Sequence, residues 1–188
     1  PETVEEIEVV PTPQIKKVDI PPIHLRVRHG LVSIVPVEEL FDEMEQHIEG
    51  IQRRLRTSDE VRESVGPIRG YRMNSKFLKR VRRPVGGSTV GNRATIEGTL
   101  VHSFDPVSER MGESVELALT PGQEVYEYLQ SHRRESPPVE VWFYQDSFDE
   151  FRVLKKALWE MGYAISTRAL RKGQHIRSAP WGRKTEAQ

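Results

Sequence analysis

Residues 138–170, PVEVWFYQDSFDEFRVLKKALWEMGYAISTRAL, constrain this chain more than any other segment, because they specify a complete strand–helix–strand unit. Val139–Tyr144 is a short apolar run of β-branched and aromatic side chains, the composition of a largely buried strand. Ser147 and Glu150 have the spacing of a capping box at a helix start. Phe148, Phe151, Leu154, Leu158 and Met161 then recur at three- and four-residue steps and share one helix face. Gly162 supplies a left-handed stop, and Ala164–Leu170 reads as a returning strand. Such a unit crosses over into a parallel strand pair.

A second amphipathic element lies near the start. His24–Arg28 and Leu31–Val35 flank His29-Gly30 and read as a tight hairpin. Pro36 can open a helix running to Arg56, with Val37, Leu40, Phe41, Met44, Ile48, Ile51 and Leu55 at helical spacing. Its acidic start and basic end complement the helix dipole. The stretches SIVPVEELFDEMEQHI and VWFYQDSFDEFRVLKKAL share this strand–turn–helix pattern, a weak pseudo-repeat.

The remaining chain is less regular. Residues 1–22 are acidic at first and carry Pro11, Pro13, Pro21 and Pro22, the composition of an extended linker. Residues 57–136 read as a β-rich insertion, with strands Tyr71–Val81 and Ala94–Phe104 around the glycine-rich turn Val85–Asn92, and a further strand at Glu116–Leu119. Thr120-Pro-Gly-Gln123 has capping-box spacing and opens a short helix through about Gln130. Residues 171–188 form a basic, loop-like arm, pinned by Ile176 and Trp181. The expectation is a single domain over residues 23–170: an α+β fold in two layers, its mixed sheet carrying the helices Pro36–Arg56 and Ser147–Met161.

Composition excludes some chemistry. There is no cysteine, which removes disulfides, thiol catalysis and cysteine-ligated metal sites. Lysine plus arginine and aspartate plus glutamate each number 28, so a global polyanion-binding role is disfavoured while local patches remain possible. No apolar run approaches the roughly 18–20 residues of a membrane-spanning helix. The chain opens at Pro1 rather than methionine, so the expectation is that further sequence lies upstream, with room for an anchor or a signal.

The candidate sites are few. Asp146 lies at the carboxyl end of a strand, where open α/β sheets place ligands, but a turn or capping carboxylate explains it better. His24, His29, His47, His102, His132 and His175 lack metal-ligand spacing and read as separately solvated or hydrogen-bonded. Gly86-Gly87-Ser-Thr-Val-Gly91 lacks the Lys-Ser/Thr of a phosphate loop and reads as a hairpin loop. No nucleophile motif occurs, and no catalytic residue, metal or cofactor is expected. Between Pro67 and Ile96 the chain carries Arg69, Arg72, Lys76, Lys79, Arg80, Arg82, Arg83 and Arg93 with no acidic residue. These could contact nucleic acid, anionic lipid or a protein partner; a solvated strand surface balancing the acidic first helix is the simpler reading.

The order of elements carries a resemblance. A Pro-rich tether, the hairpin HLRVRHGLVSIV, the helix PVEELFDEMEQHIEGI and the final unit EFRVLKKALWEMGYAISTRAL together resemble the periplasmic domain of the ExbD/TolR family of proton-channel accessory proteins. The likeness covers residues 24–56 and 138–170. The insertion 57–136 and the tail beyond Leu170 depart from the family pattern. The family's proton-carrying aspartate belongs to an N-terminal membrane helix outside this sequence, so no channel residue is carried over to any position here. The resemblance implies a non-enzymatic domain on the periplasmic side of the inner membrane. It would form a homodimer and partner an ExbB/TolQ/MotA-like channel subunit, passing conformational change to a periplasmic protein. The rival expectations are a cytoplasmic nucleic-acid-binding module using residues 67–93, and an enzyme with a small ligand near Asp146.

Overall fold

The computed structural model describes residues 20–82 and 95–178, with the side chains of 80–82 and 95–100 left aside. Most of the linker 1–22, the glycine-rich turn Val85–Asn92 with its Gly86–Gly91 motif, Arg83, Arg93 and Trp181 lie outside the described residues.

The elements in chain order are β1 (Ile23–Arg28), β2 (Leu31–Ile34), α1 (Val37–Glu45), α2 (Ile48–Leu55), β3 (Glu60–Ile68), β4 (Tyr71–Arg82) and β5 (Thr95–Pro106). They continue with β6 (Glu113–Ser114), α3 (Val115–Ala118), α4 (Glu124–Ser131), β7 (Val139–Tyr144), α5 (Phe148–Glu160), β8 (Ile165–Leu170) and β9 (Ile176–Ser178). The fold is α+β, as expected, with a mixed five-stranded sheet in the order β6-β2-β1-β7-β8 and a four-stranded antiparallel sheet in the order β3-β4-β5-β9.

The strand–helix–strand unit forms as its pattern dictates. β7 and β8 are parallel, with Val139 opposite Ile165 and Tyr144 opposite Leu170, and α5 bridges them. β1 adds to the other side of β7, also parallel, and pairs antiparallel with β2. The β1–β2 turn has His29 and Gly30 both at positive φ, the geometry a two-residue hairpin requires. Alternation along the strands then separates two cores. Ile23, Leu25, Val27, Val139 and Val141 meet Phe151, Leu154 and Leu158 of α5, along with α3 and α4. Each such buried side chain contributes roughly 1.5–3 kcal/mol of apolar burial.

The opposite face, with Trp142 and Tyr144, joins Leu40, Met44, Ile51 and Leu55 of α1 and α2, and Val61, Met73, Phe77 and Phe104 of the second sheet. The β-rich insertion therefore shares a core with the β1–β7 sheet. Its fourth strand, β9, comes from the C-terminal arm, where Phe104 lies opposite Ile176. Ile176 is buried, as its expected pinning role requires, but residues 176–178 are strand and not loop.

Three local expectations are corrected. The helix Pro36–Arg56 is two helices, α1 and α2, separated at Gln46–His47. His47 at this junction directs Nδ1 to the Glu63 carboxylate on β3 at 2.7 Å, a tertiary bond no periodicity reveals. Glu116–Leu119 is no strand: Val115–Ala118 makes the single helical turn α3, started by the Ser114 hydroxyl accepting from the Leu117 N–H. Neither capping box forms. Ser147 makes no cap bond to α5, and Thr120 donates its hydroxyl proton to the Glu116 carbonyl. The N-terminus of α4 is instead capped by Glu113, whose two carboxylate oxygens accept from the N–H groups of Glu124 at 2.9 Å and Val125 at 3.2 Å. Among the described residues, no helix is long and apolar enough to cross a membrane.

Candidate functional site

β8 ends the mixed sheet, and on its outer side no described strand pairs with it. Its residues 166–169 are exposed, while Leu170 is buried. The Val139 N–H donates to the Ala164 carbonyl at 2.8 Å. In a parallel ladder this commits the even-numbered residues of β8 to β7 and turns the backbone groups of Ile165, Thr167 and Ala169 outward. Arg168, on the opposite face from α5, reaches the Glu140 carboxylate at 3.1 Å. Glu140 also holds the buried His24, which stacks on Trp142 with ring centroids 4.7 Å apart. Burial opposes ionisation of Glu140, but His24 and Arg168 outweigh it and hold its carboxyl below the usual range.

Asp146 and Ser147 sit beside the β1–β2 turn. Asp146 lies 3.2 Å from His29 Nδ1 and accepts the Ser147 hydroxyl proton at 2.8 Å. This places the carboxylate between histidine and serine. Nucleophilic catalysis needs the imidazole in the middle, bonded to the hydroxyl it deprotonates. Ser147 is fully buried and accepts from the Gly30 N–H, so the cluster is a structural latch.

The structure also gathers a group that the sequence reading missed. Arg26, in the middle of β1, has a side chain only 1 % exposed, and Arg28 lies beside it. Both guanidinium groups lie over the Tyr144 ring, at 5.6 Å and 4.4 Å from its centroid. Both contact the carboxylate of Glu109, Arg26 at 3.2 Å, from a segment 107–112 that links β5 to β6. Nearby, the buried Tyr71 phenol and Ser33 hydroxyl share a hydrogen bond of 2.7 Å, and burial pushes the phenol pKa up. In the pattern His-Leu-Arg-Val-Arg the polar side chains share one face of β1, where they meet Glu140, Trp142 and Tyr144 of β7 and Glu109.

The basic residues weighed as a contact surface, against the simpler reading of a solvated strand face, divide among several partners. Arg69, in the β3–β4 turn, pairs with Glu124 at 2.6 Å and lies over the Tyr128 ring. Arg72 donates to the Gly66 carbonyl at 3.2 Å. Lys76 pairs with Glu60 at 2.7 Å, and Lys79 donates to the Arg56 carbonyl at 3.3 Å. Arg80 and Arg82 belong to β4. Arg69 and Lys76 are therefore occupied by carboxylates from different elements. Each of the six histidines has its own partner: Glu140 for His24, Asp146 for His29, Glu63 for His47, Ser75 for His102, the Tyr128 carbonyl for His132 and Asp105 for His175. Among the described residues, no three potential ligands converge as they would around a metal ion.

Comparison with protein-family models, curated proteins and solved structures finds no match to this chain.

Proposed function

We propose that this chain is a non-enzymatic interaction domain of the ExbD/TolR type. It lies on the periplasmic side of the inner membrane, tethered through a helix outside this sequence, and works as a homodimer. There it couples an ion-driven channel subunit to a periplasmic partner. The observation that carries this reading is the outer edge of β8, which no described strand covers and where the outward backbone groups of Ile165, Thr167 and Ala169 offer a template for a further strand. The order hairpin, helix, strand–helix–strand supports it, with both halves contributing strands to one mixed sheet. The nucleic-acid alternative draws less support, because Arg69 and Lys76 already hold carboxylate partners.

These 188 residues contain no cysteine, which makes the test direct. In this chain, Thr167→Cys introduces a single thiol at the middle of β8. Edge-to-edge pairing about a twofold axis brings two such thiols together, so mild oxidation traps a covalent dimer. Failure of single cysteines at each of positions 166–169 to give that dimer contradicts the homodimer. Protease accessibility of the domain in spheroplasts tests its side of the membrane.

A further inference from the structure

We propose that Arg26 and Arg28 form an oxyanion-binding site, filled by the Glu109 carboxylate, which accepts an external carboxylate or phosphate when Glu109 turns out to solvent. The inference holds whether or not β8 pairs with a second chain.

The unmet capacity of the arginines is the first argument. A guanidinium carries five N–H donors and is costly to bury unpaired. Arg26 makes well-formed hydrogen bonds through Nη2, to a Glu109 carboxylate oxygen at 3.2 Å and, weakly, the Glu109 carbonyl at 3.4 Å, and it interacts with the nearby Tyr71 and Tyr144 hydroxyls. Its Nε and Nη1, and the Nε of Arg28, are buried without a hydrogen-bond partner. One carboxylate oxygen thus serves two cations. Asp146 acts on Arg28 from farther away, but is already committed to His29 and Ser147.

The second argument is the occupant. Glu109 has a side chain 60 % exposed, against 1 % for Arg26. The segment that carries it is anchored elsewhere: the Val107 N–H donates to the Gly70 carbonyl at 2.8 Å, Met111 packs on the core, and Gly112 lies against the Val32 carbonyl. The Glu109 side chain can therefore rotate away without detaching its segment. Because Arg26 is too buried to stand unpaired, an incoming oxyanion would replace the Glu109 carboxylate rather than follow its loss, and the planar forks, kept in place by the Tyr144 ring, suit bidentate binding of it.

The test compares the wild-type chain with Glu109→Gln, which removes the competing charge and keeps the shape. Each is titrated with succinate or inorganic phosphate against sodium chloride at matched ionic strength, following the arginine Nε–H resonances by NMR. Glu109→Gln is expected to bind at least about tenfold more tightly than wild type, the scale of one exchanged charge-assisted hydrogen bond. Arg28→Gln in the Glu109→Gln background is expected to lose the response. Response to succinate alone identifies a carboxylate source, to phosphate alone a phosphate source, and to both the shared chemistry. No response to either, or the same response to chloride, overturns the site. Should Glu109→Gln fail to fold, the wild-type titration decides: its Arg26 and Arg28 resonances shift at higher anion concentration, or the proposal fails.

Discussion

Gly30 donates its backbone N–H to the Ser147 hydroxyl oxygen at 3.0 Å, joining the first hairpin to the entry of α5 across 117 residues of sequence. Ser147 in turn donates to Asp146, so one buried hydroxyl satisfies both neighbours. Ser147→Ala leaves the Gly30 donor without its partner and is expected to cost about 1–3 kcal/mol in urea denaturation. Because Ser147 makes no cap bond, the helix signal in far-UV circular dichroism should be unchanged.

Acid sensitivity should begin with His102. Burial lowers its pKa below the ordinary 6.5, so the unfolded chain binds a proton before the folded one does. Stability is therefore lost as pH falls from about 6.5 toward the lower folded value. A second loss follows below about pH 4, through Asp105. Burial raises the Asp105 pKa, but hydrogen bonds from Ser103, Asn74 and His175 outweigh it and hold the carboxyl below its ordinary 3.8. His102→Asn should flatten the first limb of the stability–pH curve and leave the second.

Gly112 cannot be replaced. It has φ of +115°, and an added Cβ would stand 2.2 Å from the Val32 carbonyl oxygen. Gly112→Ala is expected to destabilise the chain by about 3 kcal/mol or more, through clash and backbone strain together. Thermal unfolding measures this directly, and an unchanged midpoint would refute the close approach of residues 107–112 to β2.

Glu113 caps α4 from outside the helix. Glu113→Gln keeps one acceptor oxygen but loses the charge that binds two N–H groups at a dipole's positive end. The expected loss is about 1 kcal/mol. Hydrogen exchange at Glu124 and Val125 should accelerate in the variant more than exchange within β7.

Legibility in the sequence followed the range of the interactions. β7, α5 and β8 were readable because their apolar periods are local and unbroken. β3 was not: in EVRESVGPI the alternation of buried Val61 and Val65 is interrupted by Glu63, whose carboxylate is held by His47 and Arg54 from the helical segment. The same contact breaks the expected long helix at a point with neither proline nor glycine. ESVELAL alternates like a strand, yet α3 is too short for any helical period to appear. Nothing in the hairpin sequence marked Arg26 and Arg28, because the groups they meet, Glu109 and Tyr144, lie about 80 residues or more away in the chain. The basic residues between Arg69 and Lys79 were visible as a cluster, but apart from the nearby Gly66 carbonyl that Arg72 meets, their acceptors Glu124, Glu60 and the Arg56 carbonyl come from other elements of the chain.

The account depends most on β8 acting as a pairing edge, and Thr167→Pro tests that with least collateral damage. The Thr167 N–H points away from β7, so proline there removes an outward donor while sparing the ladder. Sedimentation equilibrium of both proteins at micromolar concentration is the measurement. The wild-type chain should dimerise and Thr167→Pro should be a folded monomer; a wild-type monomer, or a proline variant that dimerises equally well, would contradict the proposed role of this edge.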